Sequence, residues 1–309
     1  MQNEIHTNFS ILSTLCYYDV FAHPLSLEEI HSRMNKADTI ENIKSELSVL
    51  VELNIVKQHE AYFFLPHHSN EIVDLRKEKE VLATKYLEKS KRYSSLIAKF
   101  PFVRAVCISG SLSKGVMDKD GDVDYFIITE KGRLWICRSL LILFKKVFLL
   151  NSRKYFCTNY FVDINNLEIP DKNLFTATEI NSLKPVHKSE HFDEFTRQNS
   201  WTKNFQPNFK NELNSSTIKD TNGLKRILEK ALAGKTGEKL DAYFFKLTLN
   251  RWKNKFTKFD AEEFDLHMRS RKNVSKHHPR AYQTKVLDKH KESLSKFSLQ
   301  LNALTTEAA

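Results

Sequence analysis

"ISGSLSKGVMDKDGDVDYFIIT", Ile108 to Thr129, decides how the chain is read. Its last residues, Tyr125 to Thr129, form a run of the kind that makes a buried strand. Just before them Asp122 and Asp124 flank Val123. A strand alternates faces, so both carboxylates project to one side and Val123 to the other. Two like charges at that spacing repel unless a cation lies between them. Gly110 permits a sharp turn and close approach of a ligand. The amides that follow, from Ser111, face outward as at any helix start and suit phosphate. Carboxylate oxygens are ligands that Mg²⁺ takes, together with waters and substrate phosphates. Strand, Gly-Ser turn, short helix and a second acidic strand therefore predict chemistry on a nucleoside triphosphate, with Lys114 in the turn at its β- or γ-phosphate.

Working outward, "VRAVCISG" reads as the strand before the turn, residues 134–150 as a helix, and "KYFCTNYFVD" as a third strand. Strands alternating with helices predict a mixed sheet with flanking helices, an α+β fold. Upstream, three helical patterns and a short ribbon, "VKQHEAYFFLP", predict a winged-helix-like unit over residues 1–67, with a Ser26/Glu29 capping box. Its third helix carries Asn42 and Lys44 but also Glu41, Glu46 and Glu52, which favours docking over DNA reading. Residues 70–100 predict a long charged helix with an apolar stripe through Ile72, Leu75, Val81, Leu82, Tyr86, Leu87 and Leu96. With it the core spans 68–173. Residues 174–309 read as a mainly helical unit, with a polar linker near 204–223. Arg138 and Arg153, at the flanks of the core, are expected in salt bridges, and Trp201 in the core.

The Gly-Ser and Asp-x-Asp pair resembles the signature of the DNA polymerase β-like nucleotidyltransferase superfamily. That signature has an apolar residue, Gly, Gly or Ser, nine to thirteen residues, then Asp, apolar, Asp or Glu, apolar. Here ten residues separate Ser111 from Asp122, and only Ser109 departs, where an apolar residue is usual. The resemblance covers residues 100–165. It implies that Asp122 and Asp124 hold a catalytic Mg²⁺, with Mn²⁺ as an alternative, and that Gly110 and Ser111 hold the triphosphate. It also implies a third carboxylate on a later strand. "KYFCTNYFVD" offers Asn159 in its middle and Asp163 at its end, of equal parity on a straight strand. Asn159 can ligate through its carbonyl but is no base. Asp163 is therefore expected as the third catalytic acid and Asn159 beside the nucleotide.

The resulting expectation is transfer of a nucleoside monophosphate from an NTP to a hydroxyl of a small-molecule or protein acceptor. A degenerate, nucleotide-sensing regulator that binds DNA or a partner protein is the alternative. Net charge is +10, which favours anionic partners. Between Arg251 and Gln300 there are 13 Lys and Arg against 6 Asp and Glu, with His277, His278 and Tyr282 interleaved. That segment could groove an anionic acceptor or the triphosphate tail; a nucleic acid is not favoured, for want of a stacking platform. Cys16, Cys107, Cys137 and Cys157 show no paired spacing and read as reduced core residues. No signal-peptide pattern opens the chain, and the greasiest run is broken by Arg138, Lys145 and Lys146. A cytoplasmic protein without a membrane partner is expected.

Overall fold

The computed structural model describes residues 6–187, 190–210 and 223–307. The middle of the expected polar linker, residues 211–222, lies outside them.

The N-terminal unit runs α1 (Thr7–Asp19), β1 (Leu25–Ser26), α2 (Leu27–Arg33), α3 (Ile40–Glu52), β2 (Lys57–His59) and β3 (Tyr62–Phe64). Its strands form an antiparallel sheet of order β1-β3-β2. The capping box forms as expected: the Glu29 amide donates to Ser26 Oγ at 3.3 Å and the Ser26 amide to Glu29 Oε2 at 3.0 Å. Burial opposes ionisation of Glu29, but Arg33 and Arg76 hold its pKa at about 2. The unit's core of Ile11, Leu15, Leu25, Ile30, Ile43 and Leu47 is not self-contained. Leu174, Phe175, Val286 and Leu294 from the distant part of the chain pack into it.

α4 (Glu71–Ala98) connects this unit to the central sheet. Its buried positions include Ile72, Val73, Arg76, Ala83, Tyr86 and Ile97, whereas Leu75 and Val81 are 55% and 60% exposed. The expected stripe is wrong at those two positions because the helix changes partners along its length. Near its start Arg76 turns inward to Glu29, and near its end Tyr86 and Ile97 join the sheet's core.

The rest follows as β4 (Val103–Ser109), α5 (Gly110–Ser113), β5 (Asp124–Thr129), α6 (Leu134–Phe148), β6 (Cys157–Asp163), α7 (Leu174–Asn181), β7 (Lys184–His187) and α8 (Glu190–Gln198). A 3-10 turn (Ser200–Asn204), α9 (Gly223–Ala231), α10 (Lys235–Lys255), α11 (Ala261–Met268), β8 (Ser270–Arg271), β9 (Val274–Lys276) and α12 (Tyr282–Glu307) complete it. The fold is mixed α+β. The six-stranded sheet has the order β7-β4-β5-β6-β9-β8, and only β5 and β6 pair in parallel, joined by α6. One sheet face, with Val106, Tyr125, Ile127 and Phe161, packs on residues of α4 and α6. The other, with Cys107, Phe126, Ile128 and Val162, packs on Phe192 and Phe195 of α8.

Residues past 174 are mainly helical, but β7, β8 and β9 extend the sheet on both edges, so a boundary at 173 does not cut the fold. Among the described residues no helix is long and apolar enough to cross a membrane. All four cysteines are buried and free. Trp201 is half-buried, and its indole donates to Asn199 Oδ1 at 3.2 Å. Among the described residues Arg138 forms no ion pair; its guanidinium lies over the Trp252 ring, 4.7 Å from its centroid, and burial lowers its pKa to about 10.

Candidate active site

The opening stretch folds so that its two halves meet. β4 and β5 pair antiparallel with Ser109 opposite Asp124, so the chain leaves β4 directly over the start of β5. There Gly110 takes φ +68°. A Cβ at this position would lie 2.8 Å from Asp124 Oδ2. Positive φ and this close approach both require glycine. Ser111 is exposed at the start of α5, and no side chain caps the turn.

Val123 fixes the direction of the acids. It is fully buried, its amide donates to the Lys154 carbonyl at 2.9 Å, and its carbonyl accepts from the Cys157 amide at 3.1 Å. With Val123 directed into the core, Asp122 and Asp124 project the other way. Asp122 is exposed and Asp124 half-buried. Burial, with the nearby charges of Asp122 and Glu179, raises the Asp124 pKa to about 7; hydrogen bonding by Cys157 and the Lys114 charge oppose the rise.

Asn159 lies where the β5–β6 register slips: Tyr125 pairs with Thr158 but Phe126 with Tyr160, leaving Asn159 as an extra residue. Such a bulge re-aims a side chain. Asn159 Nδ2 donates to Asp124 Oδ1 at 2.6 Å, and Asn159 Oδ1 accepts from Cys157 Sγ at 3.2 Å. Asn159 therefore orients Asp124 and is not free to ligate through its own carbonyl in this arrangement.

Asp163 does not join the site, contrary to expectation. It pairs with Thr129, five residues along β5 from Asp124, a separation of roughly 16 Å at 3.3 Å per residue. The bulge also breaks the parity assumed for a straight strand, so Asp163 shares the face of Thr129 and Ile127. Its Oδ2 accepts from the Gly132 amide at 3.1 Å and its Oδ1 from the Asn165 amide at 3.0 Å. It closes two turns.

Lys114 lies beside the turn as expected, but its ammonium is already engaged. It donates to the Gly110 carbonyl at 3.2 Å and to Glu179 Oε1 at 2.7 Å. Glu179, on α7, is a third carboxylate near Asp124 that no motif marks, because only tertiary packing brings α7 there. Arg280 was also missed. Its guanidinium donates to the Tyr282 hydroxyl at 3.2 Å; that contact, and behind it the charges of Asp122 and Asp124, raise its pKa. Three of the other C-terminal cations are tied to carboxylates away from the acidic pair: Arg269 and Lys276 bind Asp171 at 2.8 and 3.1 Å, and Arg271 binds Asp265 at 2.9 Å. Burial lowers His277 and His278 to about 3, so both are neutral.

Two carboxylates are donors of the type that a hard divalent cation takes. Among the described residues neither Asp122 nor Asp124 forms an ion pair, and burial, with the charges of Asp122 and Glu179 behind it, favours a proton on Asp124 that a cation would displace. No protein-family model matches the chain, and comparison with curated proteins and with solved structures returned no match.

Proposed function

We propose that the chain is a nucleotidyltransferase that moves a nucleoside monophosphate from an NTP to a hydroxyl of a small-molecule or protein acceptor. The acceptor oxygen bonds to the α-phosphorus as the bond to the β-phosphate bridge breaks, and pyrophosphate leaves. The observation that supports this reading is the close approach of Asp124 to the Gly110 turn, where an added Cβ would lie 2.8 Å from Asp124 Oδ2. Mg²⁺, or Mn²⁺, held by Asp122 and Asp124 supplies neutralisation of the phosphate charge. Gly110 and Ser111 present the turn's amides to phosphate oxygens. Lys114 exchanges Glu179 for a phosphate oxygen, which leaves Glu179 free to take the acceptor's proton. Asn159 fixes the Asp124 carboxylate, and Arg280 draws the anionic substrate to the mouth.

The test is incubation with labelled ATP, GTP, CTP and UTP in Mg²⁺, with the acceptor supplied as a cell extract. Nucleotide binding lost in Asp124→Asn supports the reading; binding unchanged in that variant refutes it.

One observation favours the alternative, a nucleotide sensor without turnover. β6 contributes the amide of Asn159 and no carboxylate to the site. The N-terminal unit, with the strand order of a winged helix, would then transmit the state to a protein partner, since Glu41 and Glu52 share the outer face of α3 with Lys44. Tight Mg²⁺-dependent NTP binding without labelled product in any extract identifies this case.

A further inference from the structure

The N-terminal unit holds a second group of ligand-type side chains, from two elements of the fold and unused by the site above. Asp19 is the last residue of α1. His67 and His68 follow β3 in a tight turn closed by the His68 amide on the Leu65 carbonyl at 3.2 Å. In extended chain two successive side chains diverge; this turn makes them converge. The two imidazole centroids are 4.1 Å apart. Both Nε2 atoms lie close to one oxygen, Asp19 Oδ1, at 3.2 Å from His67 and 2.8 Å from His68, the latter a hydrogen bond. The three donor atoms all lie within 4.8 Å of one another.

Hydrogen bonding alone accounts poorly for this convergence. His67 is 53% exposed, and an exposed imidazole gains little from a carboxylate that already has a partner. A shared cation accounts for it better. Tetrahedral Zn²⁺ with bonds of about 2.0–2.2 Å keeps its ligand atoms roughly 3.3–3.5 Å apart. The two edges to Asp19 Oδ1, 3.2 and 2.8 Å, need only small shifts to match. Two imidazoles and one carboxylate suit Zn²⁺ or Co²⁺, not the all-oxygen preference of Mg²⁺ or Ca²⁺. The open side at His67 leaves a coordination position for water. Such an ion would pin the loop after the ribbon to the end of α1.

We propose that Asp19, His67 and His68 form a three-ligand site for a divalent transition-metal ion, with Zn²⁺ as the probe. The proposal does not rest on the nucleotidyltransferase reading. The test titrates Zn²⁺ into the full chain by calorimetry, with Mg²⁺ in excess to fill the Asp122/Asp124 centre. Uptake of one equivalent is expected, with a rise in melting temperature. His67→Gln with His68→Gln should weaken uptake at least ~10-fold. Asp19→Asn, which keeps a hydrogen-bond acceptor for both rings, should weaken it too, and this separates metal binding from hydrogen bonding. Co²⁺ should show the intense visible bands of a tetrahedral site in the wild type and lose them in both variants. Equal uptake by wild type and the double-histidine variant, or a six-coordinate Co²⁺ spectrum, overturns the proposal.

Discussion

The two ends of the β5–β6 pair use the same residue type in opposite ways. At one end Asp163 and Asp241 are saturated by backbone. Asp163 closes turns at Gly132 and Asn165, and Asp241 accepts from the Trp135 and Ile136 amides at 2.8 and 2.9 Å, capping α6 from α10. At the other end Asp124 has one amide partner, a glycine against its second oxygen, and two more carboxylates nearby. A buried acid placed for stability collects N–H donors. An acid with few N–H donors and other carboxylates nearby is a candidate for holding a ligand that is not part of the chain.

The largest loss of stability is expected at the saturated end. Asp241→Ala orphans two amides at the start of α6, at about 1–3 kcal/mol each, and should destabilise by about 3 kcal/mol in chemical denaturation. If it costs nothing, the contrast between the ends is wrong. Gly110→Ala comes next. The left-handed backbone conformation costs about 1–2 kcal/mol with any Cβ, and the added carbon meets Asp124 Oδ2. Nucleotide binding should vanish while the fold persists by circular dichroism.

Asn159→Ala frees Asp124 to rotate and should lower affinity for Mg²⁺ about 10–100-fold, the usual cost of removing a group that orients a metal ligand. Stability should change little. Arg280→Ala should have the smallest effect, a few-fold slower nucleotide association that fades at high salt, because its charge acts from an exposed position.

Much of this was legible in the sequence, and the rest was hidden for identifiable reasons. Ser26 and Glu29 announced the capping box, and the strands of Val103–Ser109 and Asp124–Thr129 followed from their apolar runs. That Gly110 and Asp124 lie together was readable because the β4–β5 register places Ser109 opposite Asp124, a demand of local backbone and spacing. Asp163 was misplaced because one bulged residue, Asn159, reverses the face of everything after it, and bulges leave no pattern in a single chain. β7, β8 and β9 are two to four residues long, too short to show a period of two. Glu179 depends on where α7 packs, which no local signal encodes. His67 and His68 lay in plain view, but Asp19 pairs with them across 48 residues of sequence.

The stability of the Asp124→Asn protein against pH, compared with Asp163→Asn, tests the central claim most directly. In the metal-free wild type the Asp124 pKa is raised from 3.8 to about 7, so the native state holds a proton that the unfolded chain releases. Stability is therefore lost as pH rises between those values, by an amount on the order of a few kcal/mol. Asp124→Asn should remove that decline, melt higher than wild type at pH 8, and bind no Mg²⁺-dependent nucleotide. Asp163→Asn should melt lower and keep nucleotide binding. An Asp124→Asn protein that is less stable than wild type at pH 8 and binds nucleotide normally would contradict the account.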